Sequence, residues 1–357
     1  MTKPEENKFV ITCIILFASP LILICGCAPN ISRPNTGVDI ASNLSVDNLD
    51  AQATRIIQQA LAGSEPQVRA NAIEIVSTIP ISRARNSFGS AGDRFMPEVR
   101  RLLKDEFVPV RFGATVAIGD TGYSPAKSDV TQLLKDEDYN VRLAASYAIS
   151  KLNHGTPVEQ LHTAMSGTNQ QVRANAAFLL GRIGDRTALP LLYQAIRDEA
   201  SDDRVRLNSI EAIARLGDER IYQKLWAMLI SAYADDRVCG IRAMGALGST
   251  QAGEAILTML KDDLPEVRLV AAEQLGMLGD AAGEKVVLDA LTQDVAAATD
   301  QEGRARIHSL AALAIGQIRT PTLKKFLPEL LKNESQFVRL AAAKAVFQCS
   351  ARENMGR

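Results

Sequence analysis

Histidine is scarce in this chain, with three in 357 residues, tryptophan occurs once, and aromatic residues together make up 5%. The three histidines, His154, His162 and His308, are scattered, and none is followed by glutamate. Isolated imidazoles do not build a zinc site, and no Cys-x-x-Cys pair supplies thiolates in their place. The chain has no G-x-x-x-x-G-K-[ST], no G-x-G-x-x-G and no G-x-S-x-G. The usual sequence signs of nucleotide binding and of serine hydrolysis are therefore missing. Neither sign of charge prevails, since 40 Lys and Arg stand against 41 Asp and Glu. Without a basic excess, nothing is there to neutralise a phosphate backbone, so nucleic acid is not an expected partner. No cofactor and no metal are expected, and the chain reads as a binder rather than an enzyme.

What the chain does have is aliphatic. Hydrophobic residues reach 46%, with Ala and Leu dominant, a composition that suits closely packed helices.

The N-terminus is organised differently from the rest. Residues 1–8 are polar, with Lys3 and Lys8 offset by Glu5 and Glu6, and residues 9–27 carry no charge. A stretch of that length nearly spans a bilayer as a helix. Its end, Ile24-Cys25-Gly26-Cys27, resembles a bacterial lipobox. That resemblance implies a signal peptide over 1–26, a lipid on Cys27 and a cell-envelope location on the periplasmic face. Ala28 is not the Asp that resembles an inner-membrane retention signal, which favours the outer membrane. An uncleaved inner-membrane anchor, or an apolar segment with no targeting role, remains an alternative. Residues 27–47, rich in Pro, Asn, Ser and Gly, read as a flexible tether with a reach of roughly 25 Å. Cys239 and Cys349 lie on predicted helices and read as small core residues.

From residue 48 to 350 one pattern recurs: Val-Arg, two variable residues, a small residue, then Leu or Ile followed by Gly or Ala. Clear copies are VRFGATVAIGDTG from Val110, VRANAAFLLGRIGD from Val172 and VRLVAAEQLGMLGD from Val267. The arginine column runs 69, 111, 142, 173, 206, 237, 268 and 339, with His308 standing in once. Five of its eight spacings are 31, which is the signature of a repeat array. Before each copy an apolar segment ends in a motif such as LLKDE, a short turn follows, and the Val-Arg helix begins. Each unit is thus helix A, turn, helix B. In unit four, Val172, Ala176, Leu180 and Ile183 form one helical stripe, Gly184 is placed to cap it, and Asp185 to start the next helix.

These units resemble the HEAT repeat, in the shorter form of the phycobilisome lyases, over about 300 residues. The resemblance implies an all-α fold, a right-handed α-solenoid of about nine antiparallel helix pairs. It also implies a hydrogen-bonded ladder of Asp and Arg along the stack, here Asp105, Asp136 and Asp262 with Arg111, Arg142 and Arg268. Gly63, Gly167, Ala200 and Ser231 interrupt it. Deoxyhypusine hydroxylase shares the scaffold but holds iron with His-Glu pairs that this chain lacks. A lyase-like or other enzyme-associated HEAT protein is the alternative function.

In HEAT proteins the B helices line the concave surface. The position five residues after each arginine should face that groove: Glu74, Val116, Tyr147, Phe178, Glu211, Arg242, Glu273, Leu313 and Lys344. Val116, Tyr147 and Phe178, edged by Asp120, Lys151 and Arg182, form an apolar strip suited to a peptide or helix; alternatively Tyr147 and Phe178 pack between helices. Trp226, on a convex helix, reads as inter-repeat core. Residues 80–92 and 292–303 interrupt the period and read as loops, with or without a partner role. The expected function is a membrane-tethered scaffold or adaptor that binds a protein partner.

Overall fold

A computed structural model describes residues 46–79, 93–153, 159–293 and 300–353. Every regular element among them is helical. The helices fall into nine successive pairs. They are α1 (Val46–Leu61) with α2 (Pro66–Thr78), α3 (Met96–Arg101) with α4 (Val108–Thr121), and α5 (Lys127–Gln132) with α6 (Tyr139–Asn153). Next come α7 (Glu159–Met165) with α8 (Gln170–Ile183), α9 (Leu189–Arg197) with α10 (Asp203–Arg215), and α11 (Tyr222–Leu229) with α12 (Ala234–Leu247). Last are α13 (Thr250–Thr258) with α14 (Pro265–Met277), α15 (Glu284–Thr292) with α16 (Gln301–Ile318), and the short α17 (Pro321–Lys324) and α18 (Leu327–Leu330) with α19 (Gln336–Glu353). The chain is the all-α solenoid of nine units that its periodicity predicts. The signal segment and lipobox, nearly all of the tether, residues 80–92, part of the 292–303 insertion and residues 354–357 of the C-terminal tail expected at 351–357 lie outside the described residues. No described helix is long and apolar enough to cross a membrane.

Local chemistry explains each unit. The stripe of unit four is buried at Val172, Ala176 and Leu180. Gly184 takes φ 85°, a left-handed cap that a side chain would strain. Asp185 then accepts a bond from the backbone N–H of Thr187 and begins the next unit. A second column of small residues, eight after the arginine, sets how close neighbouring B helices come. A Cβ on Gly181 would lie 2.7 Å from the Cα of Ala212, and one on Gly119 would lie 2.8 Å from the Cα of Ala148.

The ladder forms, in a register that one unit's motif does not show. Each acid's carboxylate reaches back to the arginine of the preceding unit. Arg69 binds Asp105 through Nε and Nη2 at 2.8 and 2.9 Å. Arg111 binds Asp136 at 3.0 Å through both nitrogens, and Arg237 pairs with Asp262. Arg111 also donates to the carbonyls of Asp105 and Glu106 in its own turn. Arg142 and Arg268 bind the corresponding carbonyls of their turns, Asp136 and Glu137 in one case, Asp262 and Asp263 in the other. The units that follow them hold Gly167 and Glu302 in the acid slot. Unit five has Ala200 in that slot, and Asp198 with Ser201 takes its place beside Arg173.

The array does not stay open. Helix α19 packs against both α1 and α2, so the last unit meets the first. Phe347 occupies the small-residue column of unit nine and meets Phe95 edge to face, with ring centroids 5.8 Å apart. Arg94 lies over the Phe347 ring and donates to Asp50 and Thr54 of α1. An open solenoid needs polar faces on its terminal repeats. Here the two ends cover each other, and apolar residues run through the junction.

Candidate functional site

Closure decides what the inner face can do. The nine side chains placed five after each arginine come from nine neighbouring inner helices of a ring. Side chains of units well apart in the array meet inside this ring, as Arg182 of α8 does with Asp120 of α4 and Glu74 of α2 with Lys344 of α19. Val116 is 6% exposed, Tyr147 0% and Phe178 8%. The expected open strip is therefore corrected: these residues lie in the interior, where side chains of α8 reach past α6 to side chains of α4. Phe178 of α8 faces Phe112 of α4, with centroids 6.5 Å apart. Arg182, expected at the edge of the groove, lies over the Phe178 ring and donates to Asp120 of α4. The Tyr147 hydroxyl donates to the same carboxylate. Burial holds the Tyr147 phenol above its usual range, with the Asp120 charge adding to the effect. Lys151 is half-buried on the last turn of α6.

Across the axis, charges converge from helices far apart in sequence. Glu74 of α2 is part-buried and shares its surroundings with Lys344, Arg182, Arg242 and Glu211. Burial pushes its carboxyl up to about 7, against the pull of the neighbouring cations. Lys344 is 3% exposed. Its amine is held below its usual range by burial, with Glu273 and Glu74 opposing the shift. Glu74 and Lys344 also line a small cavity at the ring junction with Asn71, Ser309, Leu313 and Phe337. At about 30 Å³ it has room for a water molecule or two. Among the described residues the axis is thus lined by buried and half-buried side chains, several of them charged.

Exposed apolar side chains lie elsewhere. Trp226, read from sequence as core, is 38% exposed on α11. Ile230 follows one helical turn later at 72%, and Tyr233 at 74%. Leu257 at 44% and Leu264 at 38% belong to the next unit. Leu257 lies 31 residues after Trp226 and Leu264 lies 31 after Tyr233, so each pair shares a column in adjacent units. Tyr233 and Leu264 also occupy the N-cap positions of α12 and α14 and make no side-chain cap bond. The same position holds Asn169 before α8 and Asp202 before α10, and both cap the backbone. Replacing a capping Asn or Asp by an apolar residue costs about 1 kcal/mol. Nothing in the sequence pattern of the concave face pointed to this outer rim. The signal that could have found it is the loss of Asn or Asp at two consecutive N-caps, as against the single loss at Phe107 before α4, which is 43% exposed.

A family model of HEAT repeats matches residues 53–150 and 158–239, about half of the chain. This chain is a HEAT-repeat protein. A search of the curated proteins returns no match. Among solved structures, human deoxyhypusine hydroxylase in complex with glycerol is 16% identical, covering 85% of this HEAT chain and 97% of its own, at a TM-score of 0.35. The complex of CpcE and CpcF of phycocyanin lyase from Nostoc sp. PCC7120 is 19% identical, covering 79% and 98%, at a TM-score of 0.41.

Proposed function

We propose that this HEAT-repeat protein is a scaffold of the bacterial cell envelope, tethered through a lipid on Cys27, and that it binds a protein partner on its outer rim. One observation carries the binding part of this reading. Units six and seven give up two helix caps in favour of exposed apolar side chains, and three more exposed apolar side chains belong to the same two units. The exposed parts of such side chains add nothing to the core, and a contiguous group of them marks an interaction surface. The tether rests on the sequence Ile24-Cys25-Gly26-Cys27 alone. It would hold the ring near a membrane while leaving the rim free.

Two measurements in cells test the two parts separately. A photo-reactive residue at position 233 should crosslink to a discrete envelope protein, and Ile230→Asp should abolish that crosslink. No crosslink from position 233, with crosslinks from an unrelated face instead, would remove the rim reading. Separately, Cys27→Ala should release the chain from the membrane fraction. Retention in that fraction would replace lipidation by the alternative anchor.

A further inference from the structure

The rim of units five to seven differs in charge from the matching rim of units two to four. In the eight residues ending at each ladder arginine, units two to four carry five acids and five bases. The same stretches of units five to seven carry eight acids and five bases. The excess borders the apolar group directly. Asp235 and Asp236 follow Tyr233 by two and three residues, and Asp263 precedes Leu264. Asp235 is half-buried, and its Oδ1 accepts no hydrogen bond. Its carboxyl is pushed up to about 6 by burial and by the Asp236 charge beside it. Asp263 has a side chain 81% exposed and shares Arg237 with Asp262. The carboxylates at this edge outnumber the cations that could neutralise them.

The spacing of the apolar groups limits the shape of what covers them. Trp226 and Ile230 are one helical turn apart, and Ile230 and Tyr233 are three residues apart. The columns of units six and seven are about 10 Å apart, the distance between packed helices. Seven residues of an α-helix rise about 10 Å. Side chains at i, i+4 and i+7 of one helix therefore match two neighbouring columns, and about 14 residues reach across three units.

We infer that the rim of units six and seven, with the acidic border that extends to unit five, binds an amphipathic helix whose apolar face meets Trp226, Ile230, Tyr233, Leu257 and Leu264 and whose flanks carry lysine or arginine. This rests on the rim being the binding surface and adds the identity of its occupant. Apolar contact supplies the affinity, and the acidic border sets orientation and selects against acidic helices.

Trp226 is the only tryptophan in the chain and lies inside the surface, so its emission reports occupancy directly. The full chain, held in phosphatidylcholine vesicles, is titrated with two synthetic 18-residue amphipathic helices that lack tryptophan. One is built of leucine and lysine, the other of leucine and glutamate. The leucine–lysine helix should shift Trp226 emission to shorter wavelength and bind at least tenfold more tightly than the leucine–glutamate helix. Asp235→Asn with Asp263→Asn, in protein that melts like the wild type, should reduce that preference to about threefold or less. Equal binding of the two helices by the wild type, or tighter binding of the acidic one, overturns the basic occupant and leaves the rim as a binding surface. No emission change with either helix overturns the rim reading itself.

Discussion

Glu74→Gln should stabilise this protein at alkaline pH and leave it unchanged in acid. The folded carboxyl is raised from 4.5 to about 7, so the folded state holds this proton more tightly than the unfolded chain does. Below pH 4.5 both states are protonated and the group contributes no penalty. Between 4.5 and 7 the unfolded chain releases its proton first, and stability falls as pH rises. Above 7 the full penalty applies, at most about 3 kcal/mol from a displacement of that size. Glutamine has the shape of the protonated acid and never ionises. The gain will fall short of the maximum because Lys344, at 3% exposure, loses one of its two neighbouring carboxylates. Urea unfolding of wild type and Glu74→Gln at pH 5, 6, 7 and 8 reads the difference. The two midpoints should nearly coincide at pH 5 and separate steadily, with the variant about 5 °C more heat-stable at pH 8, on the scale of roughly 2 °C per kcal/mol for a chain this long. Parallel curves across the series, or a variant less stable at pH 8, would refute the placement of this carboxyl in a desolvated axis.

The remaining expectations concern the ring walls and the rim. Asp136→Ala removes the partner of a guanidinium that is 9% exposed and should destabilise the fold by about 3 kcal/mol, read by chemical unfolding. Arg142→Ala, which removes bonds to two turn carbonyls, should lose less. Gly181→Ala brings a Cβ to 2.7 Å from a neighbouring backbone atom and should cost about 1–3 kcal/mol, whereas alanine at a loosely surrounded position such as Gly253 should be tolerated. Tyr233→Asn with Leu264→Asn restores two caps and should raise stability by up to about 2 kcal/mol, while weakening the binding of a leucine–lysine helix measured by calorimetry.

The helix pairs, their number and their caps were legible because each follows from a local rule. Gly184, Asp185 and the 31-residue arginine column need only their own neighbours in sequence to be interpreted. The ladder was legible in composition but not in register. Asp105 stands six residues before Arg111, yet its carboxylate binds Arg69 of the unit before. The contacts that bring α19 onto α1 and α2 join residues almost 300 apart, and no periodicity encodes them. The contacts that bury Val116, Tyr147 and Phe178 are also between units, Phe178 with Phe112 and both Tyr147 and Arg182 with Asp120. A pattern read one unit at a time shows these positions as a groove lining and misses the partners that cover them. Phe347 was the one local departure that pointed to closure, a large ring in a column otherwise made of small residues.

Closing the array changes which residues are left to serve a partner. An open solenoid presents its concave helices, and the repeat pattern then indicates directly where binding occurs. Once the ring closes, those positions are used to hold it together, including the charged groups of Glu74, Glu273 and Lys344 that would otherwise suit a polar partner. What remains is the outer helices and the rim of A–B turns. Along that rim the repeat motif favours a capping Asn or Asp, so a unit that departs from it loses a stabilising bond. Unit two makes that departure singly, with Phe107 before α4, and units six and seven make it side by side, each with an exposed apolar side chain in place of the cap. A single such loss is ordinary surface variation. The counterpart rim exposes Phe107, Leu134 and Tyr139 as well, but it loses a single cap and its charges balance; two lost caps in adjacent units and an acidic border set the rim of units five to seven apart.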